Sequence, residues 1–311
     1  MDVSVLDRLP APVQAELDRR QAALPAIAAL VEADEDEPVL LAGSYATGEW
    51  NPTSDLDLLV LTKRHRPRRA PGTTNHPSIL GDSFDGLAGD LPVNVEYVSA
   101  ERLHDLARVL ANTTGDGGTV DLPNLQALEI RLVQRVHKGV ALSGTGELDR
   151  YRAWLDLDAV RSAATALAFV GTLSLLGDTT VLASPTRELM CRGAAESLLM
   201  SAVNAFGPLT HDGKHLLTRA ASISRLSDVP ELFGRIEPLL FAERLPHEEA
   251  LGLVLDLAED LYRSFTDPRC PARVLPMLAP FVPAWSWTGR TWPATEHGLA
   301  KTGRAFAGEG A

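Results

Sequence analysis

The sequence predicts an α+β fold: a small mixed-sheet unit over residues 1–145, followed by an all-helical unit over residues 146–311. Three observations predict it. Short apolar runs of strand character are confined to the first half. From Leu148 onward helical periodicity dominates and strand signals are scarce. The change falls at Gly144-Thr145-Gly146, whose composition suits a linker. A chain of 311 residues is also longer than one compact domain usually is.

Residues 11–33 combine helix formers with apolar spacing and end in the acidic run Glu32 to Glu37. Pro38 follows, then Val39-Leu40-Leu41-Ala42, which reads as a buried strand broken by Gly43-Ser44. A second strand is predicted over Asp55 to Leu61. Residues 63–90 read as loop, because Pro67, Pro71, Gly72, Pro77, Gly81, Gly86 and Gly89 punctuate them. A third strand, Val93 to Val98, alternates its side chains. Ser99 then suits the N-cap of a helix running to about Val109, and another helix is expected over 125–138. The second half reads as helices over 151–175, 185–205, 213–226, 229–242 and 246–265. Trp285, Trp287 and Trp292 lie in a tail from Pro271, where tryptophan more often anchors the tail than binds a ligand.

Apolar residues make up 45% of the chain and charged residues 23%, an ordinary globular composition able to bury a core. The N-terminal stretch is charged from Asp2 onward, unlike a secretory signal. No run approaches the ~18 apolar residues that span a bilayer. Cys191 and Cys270 make neither a metal spacing nor a disulfide framework. These features predict a reducing, cytoplasmic setting and no membrane. The net charge is −12, from 41 acids against 29 Lys plus Arg. That weighs against a long nucleic acid as partner, which needs many cations to replace its counterions. The one dense basic run, Lys63 to Arg69, reads as a solvated loop or as a rim beside a polyphosphate. It leaves tRNA as a compatible partner.

Asp55 and Asp57 lie two apart on a predicted strand, so both carboxylates share a face while Leu56, Leu58 and Val60 take the other. Two such charges repel, and burying them unpaired is costly. A divalent cation is the natural compensation, and carboxylate oxygens suit Mg²⁺ or Mn²⁺ rather than zinc. Gly43-Ser44 follows a strand at a spacing of residues 45–54 before Asp55. Glycine there lets backbone approach a phosphate, and the serine hydroxyl with nearby N–H groups can hold phosphate oxygens. Ser54 can support the first carboxylate. On the third strand Val93, Val95 and Tyr97 fill one face, and Asn94 and Glu96 share the other. If that strand lies near the Asp strand, Glu96 joins the cluster.

The stretch GSYATGEWNPTSDLDLLV, with the later Glu96, resembles the signature of the DNA polymerase β-like nucleotidyltransferase superfamily over roughly residues 38–98. Within it the chain looks most like the aminoglycoside nucleotidyltransferases, which pair this domain with a C-terminal helical bundle. The stretch Arg135 to Leu142 is similar to the end of such catalytic domains. Asn204 to Pro208, followed by Lys214, resembles a region whose lysine reaches the nucleotide phosphates in some members.

The resemblance implies a catalytic domain over 1–145 and a helical substrate-binding domain over 146–311. Asp55 and Asp57 would bind two Mg²⁺ ions (Mn²⁺ as substitute) with the triphosphate, and Glu96 would complete the metal site or take the acceptor's proton. Gly43, Ser44, Ser54 and Lys214 would bind nucleotide. The reaction would move an NMP, in the first instance AMP from ATP, onto a hydroxyl of a small molecule such as an antibiotic or biosynthetic intermediate. The acceptor is expected in a cleft between the two halves. Synthesis of a nucleotide second messenger, transfer onto tRNA or protein, and a non-enzymatic nucleotide-binding module are the competing readings.

Overall fold

A computed structural model of the protein describes residues 1–63, 74–78, 81–111, 122–123, 125–183, 185–211, 213, 215–223, 230–241 and 246–289. The chain divides into two compact units. The first holds Met1–Val109 and Arg131–Leu157; the second holds the segment from Leu110 to Ile130 and the chain from Asp158 onward.

The first unit opens with a 3-10 turn over Val3–Arg8, α1 (Ala11–Arg19) and α2 (Leu24–Leu30). Then come β1 (Val39–Leu41), α3 (Gly43–Thr47), β2 (Leu56–Thr62), β3 (Thr74–Ser78), β4 (Gly81–Ala88) and β5 (Leu91–Ser99). After them come α4 (Ala100–Ala111) as far as Val109, α5 (Ala127–Lys138) from Arg131 on, β6 (Val140–Ser143) and α6 (Thr145–Trp154). The strands form one mixed sheet in the order β3-β4-β5-β2-β1-β6. Among the described residues only the central pair β2–β5 is parallel.

Strand alternation sorts the sheet into two faces. Leu56, Leu58 and Val60 of β2 and Val93, Val95 and Tyr97 of β5 join Leu6, Val13, Leu17 and Ile27 in one apolar core. The opposite face lies beneath α5, whose Leu132, Val133 and Val136 are buried. Ser99 caps α4 as its position predicts: its Oγ accepts the Arg102 N–H at 3.2 Å.

The loop expected over 63–90 is incorrect. Its second half is the hairpin β3–β4, and β4 adds to β5 along its whole length. Gly81 and Gly86, read there as breaks, are close-approach positions. A Cβ on Gly81 would strike the backbone of Tyr97, and one on Gly86 would lie 2.8 Å from the Leu30 side chain. Pro77 is tolerated because β3 is an edge strand. At Gly144 the backbone is left-handed and serves as the N-cap of α6.

The second unit contains α7 (Leu157–Thr179), α8 (Thr186–Phe206), α9 (Leu216–Ile223), α10 (Pro230–Phe241), α11 (His247–Ser264) and α12 (Leu275–Leu278). The second half is helix-rich as the periodicity predicts, but the one helix expected over 151–175 is two, α6 and α7, broken at Leu155 and Asp156. Small residues let α7 and α8 pack closely: Ser197 and Ser201 donate from Oγ to the Ala168 and Thr165 carbonyls at 2.8 and 2.9 Å. By length and composition α7 could cross a membrane, contrary to the sequence expectation that no run approaches one; 61% of its apolar window is buried, as in the core helix of a folded domain.

Among the tail tryptophans, Trp285 is a core residue. It is 5% exposed and meets the ring of Phe169 edge-on at 5.7 Å, beside Tyr262. Trp287 is partly exposed, and Trp292 lies outside the described residues. Deleting a buried aromatic leaves a cavity as well as losing its transfer energy. Trp285→Ala should therefore lower stability by about 3–5 kcal/mol, measured by urea unfolding followed by circular dichroism. A loss under about 1 kcal/mol would contradict this packing.

Candidate active site

The parallel register of β2 on β5 sets the site. Asp57 lies opposite Asn94, and Leu59 opposite Glu96. Residues two apart share a face, so Asp57 and Glu96 project from the same side of neighbouring strands. Each is 8% exposed. Asp55, half-buried, immediately precedes β2, and its charge acts on Asp57.

The two buried acids are bridged by one guanidinium. Arg135 Nη2 donates to Asp57 Oδ1 at 2.7 Å, and Nη1 stands 2.7 Å from Glu96 Oε2. Arg131, one helical turn earlier on α5, donates from Nη2 to the other oxygen of Glu96 at 2.6 Å. Burial pushes the Asp57 carboxyl above its usual range; Arg135 pulls it down, and Asp55 and Glu96 add to the rise. Burial opposes the charge of Arg135 as well, but attraction to Asp57 and Glu96 outweighs it and raises the guanidinium. An arginine stays charged at any ordinary pH, and contacts this short mark a charged bridge.

Gly43 fits against this bridge. Its φ is +62°, and a Cβ there would collide with Asp57 Oδ2. Only glycine satisfies both the left-handed backbone and the close approach. The Ala42 N–H also donates to the Asp57 carbonyl at 2.9 Å, joining the end of β1 to the acid strand. Tyr45 is buried, and its ring stacks on Trp50 at 5.4 Å with planes 1° apart.

Arg20 pins the loop between α3 and β2. It donates to the carbonyls of Asn51 (3.1 Å), Pro52 (2.8 Å) and Ser54 (3.2 Å), while Glu16 holds its Nε. Ser54, singled out from the sequence beside Asp55, is buried, and its Oγ accepts the Asn51 N–H at 2.9 Å. Ser44 sits half-buried on the first turn of α3. Asn94 shares the acid face and donates to Ser83 Oγ and Asp85 Oδ1 at 2.9 and 2.7 Å.

Lys214 lies outside the described residues, as do Arg64 to Arg69; Lys63 pairs with Asp36. Asn204, near the expected lysine, is a structural residue whose Oδ1 accepts the Thr210 N–H at 2.6 Å. Sequence reasoning did not assign roles to Arg131 and Arg135. Their signal was present: two arginines four apart, interleaved with Leu132 and Val136 on a helix that must face the sheet.

Residues 26–110 match the family model described as a nucleotidyltransferase domain, a span that includes Gly43, Asp55, Asp57 and Glu96. Among solved structures the chain is similar to a nucleotidyltransferase-like protein from Exiguobacterium sibiricum 255-15. The two share 18% identity over 92% of this chain and 85% of that one, at a TM-score of 0.40. No curated protein matches. The chain thus carries a nucleotidyltransferase domain, and its class is that of a nucleotidyltransferase enzyme, one that transfers a nucleoside monophosphate.

The donor chemistry at Asp55, Asp57 and Glu96 suits a hard divalent cation, which takes oxygen ligands. Yet among the described residues no three His, Cys, Asp or Glu side chains converge on one ion position. Arg135 takes the place between Asp57 and Glu96 instead.

The role of Gly43 is directly testable. Gly43→Ala adds the cost of a left-handed alanine, about 1–2 kcal/mol, to the collision with Asp57. It should therefore lower the stability of the sheet unit by about 2 kcal/mol or more and abolish nucleotidyl transfer. Normal melting and turnover of that variant would refute the close approach.

Proposed function

We propose that the chain moves an NMP, in the first instance AMP from ATP, onto a hydroxyl of a small-molecule acceptor, as the aminoglycoside nucleotidyltransferases do. The observation that carries this reading is the meeting of the Asp57 and Glu96 carboxylates on one face of β2–β5, against the glycine of the Gly-Ser turn. Asp55, Asp57 and Glu96 would hold Mg²⁺, whose chemistry at such sites is to neutralise the triphosphate and align the attacking oxygen.

The chain's own groups do the rest by positioning, which dominates phosphoryl-transfer catalysis. Gly43 opens the backbone beside Asp57, so that N–H groups of the turn can face phosphate oxygens. Arg20 fixes the loop that leads into Asp55. The acceptor oxygen bonds to the α-phosphorus as the bond to the bridging oxygen breaks. Pyrophosphate leaves, and the hydroxyl proton passes to solvent, because Glu96 is committed to Arg131 and to the metal site. The net charge of −12 favours a cationic acceptor and disfavours a polyanion as partner.

A panel of NTPs with Mg²⁺ and polyhydroxylated amines, resolved by thin-layer chromatography, tests this. The expected product is an NMP adduct that forms only with acceptor present, plus pyrophosphate. Asp57→Asn should cut turnover by at least about 100-fold while the protein stays folded, because loss of even an outer partner of a metal site costs 10–100-fold. Near-normal turnover by Asp57→Asn would refute the role of Asp57. Oligonucleotide products without acceptor, or tight salt-sensitive binding of tRNA, would overturn the small-molecule reading.

A further inference from the structure

Counting charges around the bridge gives a site unlike a bare cluster of acids. Arg131 and Arg135 supply two positive charges against the two negative charges of Asp57 and Glu96, with Asp55 in excess. Both oxygens of Glu96 and Oδ1 of Asp57 are in contact with guanidinium nitrogens, and Oδ2 of Asp57 lies against Gly43. A divalent ion on Asp57 Oδ1 and Glu96 Oε2 would compete with the Arg135 guanidinium for the same oxygens, bringing two cations within a few ångströms in a medium of low polarity.

We propose that Arg135 is an internal counter-cation: it holds Asp57 and Glu96 together in the metal-free enzyme and yields them when a divalent ion binds. This rests on the metal-dependent transfer proposed above. Arg135 is thereby a positioning residue that keeps two buried like charges from driving each other apart or becoming protonated. The site is preformed, and metal binding becomes an exchange of one cation for another.

The surroundings of Arg135 indicate how the exchange proceeds. Arg152 donates to the Val136 and Gly139 carbonyls, both at 2.9 Å, and so fixes the C-terminal end of α5. A Cβ on Gly139 would lie 2.8 Å from the Leu40 side chain and 3.1 Å from the Leu41 carbonyl, so this end of the helix is seated on β1. The movement that frees the acids is accordingly a rotation of the Arg135 side chain with α5 in place. Arg131 pairs with Oε1 of Glu96 and not with the Oε2 that Arg135 faces, so it can stay in place during the exchange.

A purely structural ion pair and a counter-cation differ in the sign of one effect. Removing a structural pair loosens the site and weakens metal binding. Removing a competing cation tightens metal binding even as it lowers the stability of the metal-free protein. Mn²⁺ titrations of nucleotide-free protein, read by electron paramagnetic resonance, separate the two for wild type, Arg135→Gln and Arg131→Gln.

We expect Arg135→Gln to bind Mn²⁺ at least about tenfold more tightly than wild type, since it loses a positive charge beside the ion. Arg131→Gln should change less. Mn²⁺ should also raise the melting temperature of Arg135→Gln more than that of wild type. Equal or weaker Mn²⁺ binding by Arg135→Gln overturns the proposal. Should Arg135→Gln not fold, Arg135→Met serves in its place, because it keeps an apolar stem of similar length and removes the charge. It should tighten Mn²⁺ in the same direction, and an unchanged affinity counts against the proposal. Tightened binding without transfer in the NTP panel keeps the counter-cation and sinks the transferase reading. Transfer by wild type with unaltered Mn²⁺ affinity in Arg135→Gln does the reverse.

Discussion

Asp57 and Glu96 sit on adjacent buried strands, where two uncompensated carboxylates could not both stay charged. The bridge from Arg135 meets that constraint, and the surrounding architecture serves it. The parallel pairing of β2 and β5 brings the acids to one face. Helix α5 crosses that face with Arg131 and Arg135 one turn apart. Gly43 gives the Asp57 carboxylate room on its other side. Leu56, Leu58, Val60, Val93, Val95 and Tyr97 of the same two strands turn the opposite way and join one core with residues of α1 and α2, so alternation along two strands creates both the site and the support beneath it.

Much of this arrangement was legible in the sequence because it follows from strand period alone. The run Val39-Leu40-Leu41 and the segment Leu56 to Leu61, apolar but for Asp57, are buried, and both are strands. Alternation in Val93 to Val98 correctly placed Glu96 opposite Val95 and Tyr97. Ser99 marked a helix start that its hydroxyl does cap. The helices of the second half were legible from apolar spacing. Trp285 fits the commoner fate of a tail tryptophan, as an anchor beside Phe169 and Tyr262.

What escaped the sequence depends on contacts between distant segments. The β3–β4 hairpin carries glycine and proline that signal turns locally, but Gly81 and Gly86 are required by the backbone of Tyr97 and the side chain of Leu30. The partner of the acids escaped for a similar reason. Two arginines four apart on an amphipathic helix mark a shared face without naming what it meets, and the fold shows that Arg135 points inward to two carboxylates. Ser54 was noticed for its place beside Asp55, whereas its hydroxyl closes the preceding loop that Arg20 holds.

The central claim is that Asp57 and Glu96 exchange one cation for another. Crystal structures of the protein without metal and with Mn²⁺ plus a non-hydrolysable NTP analogue test it most directly, with anomalous scattering locating the ion. The account predicts Arg135 bridging both carboxylates in the first structure. In the second it predicts a manganese peak bound to Asp57, with the Arg135 side chain turned away from Asp57 and α5 unmoved. A manganese peak remote from Asp57, or an Arg135 bridge intact beside bound manganese, would contradict it.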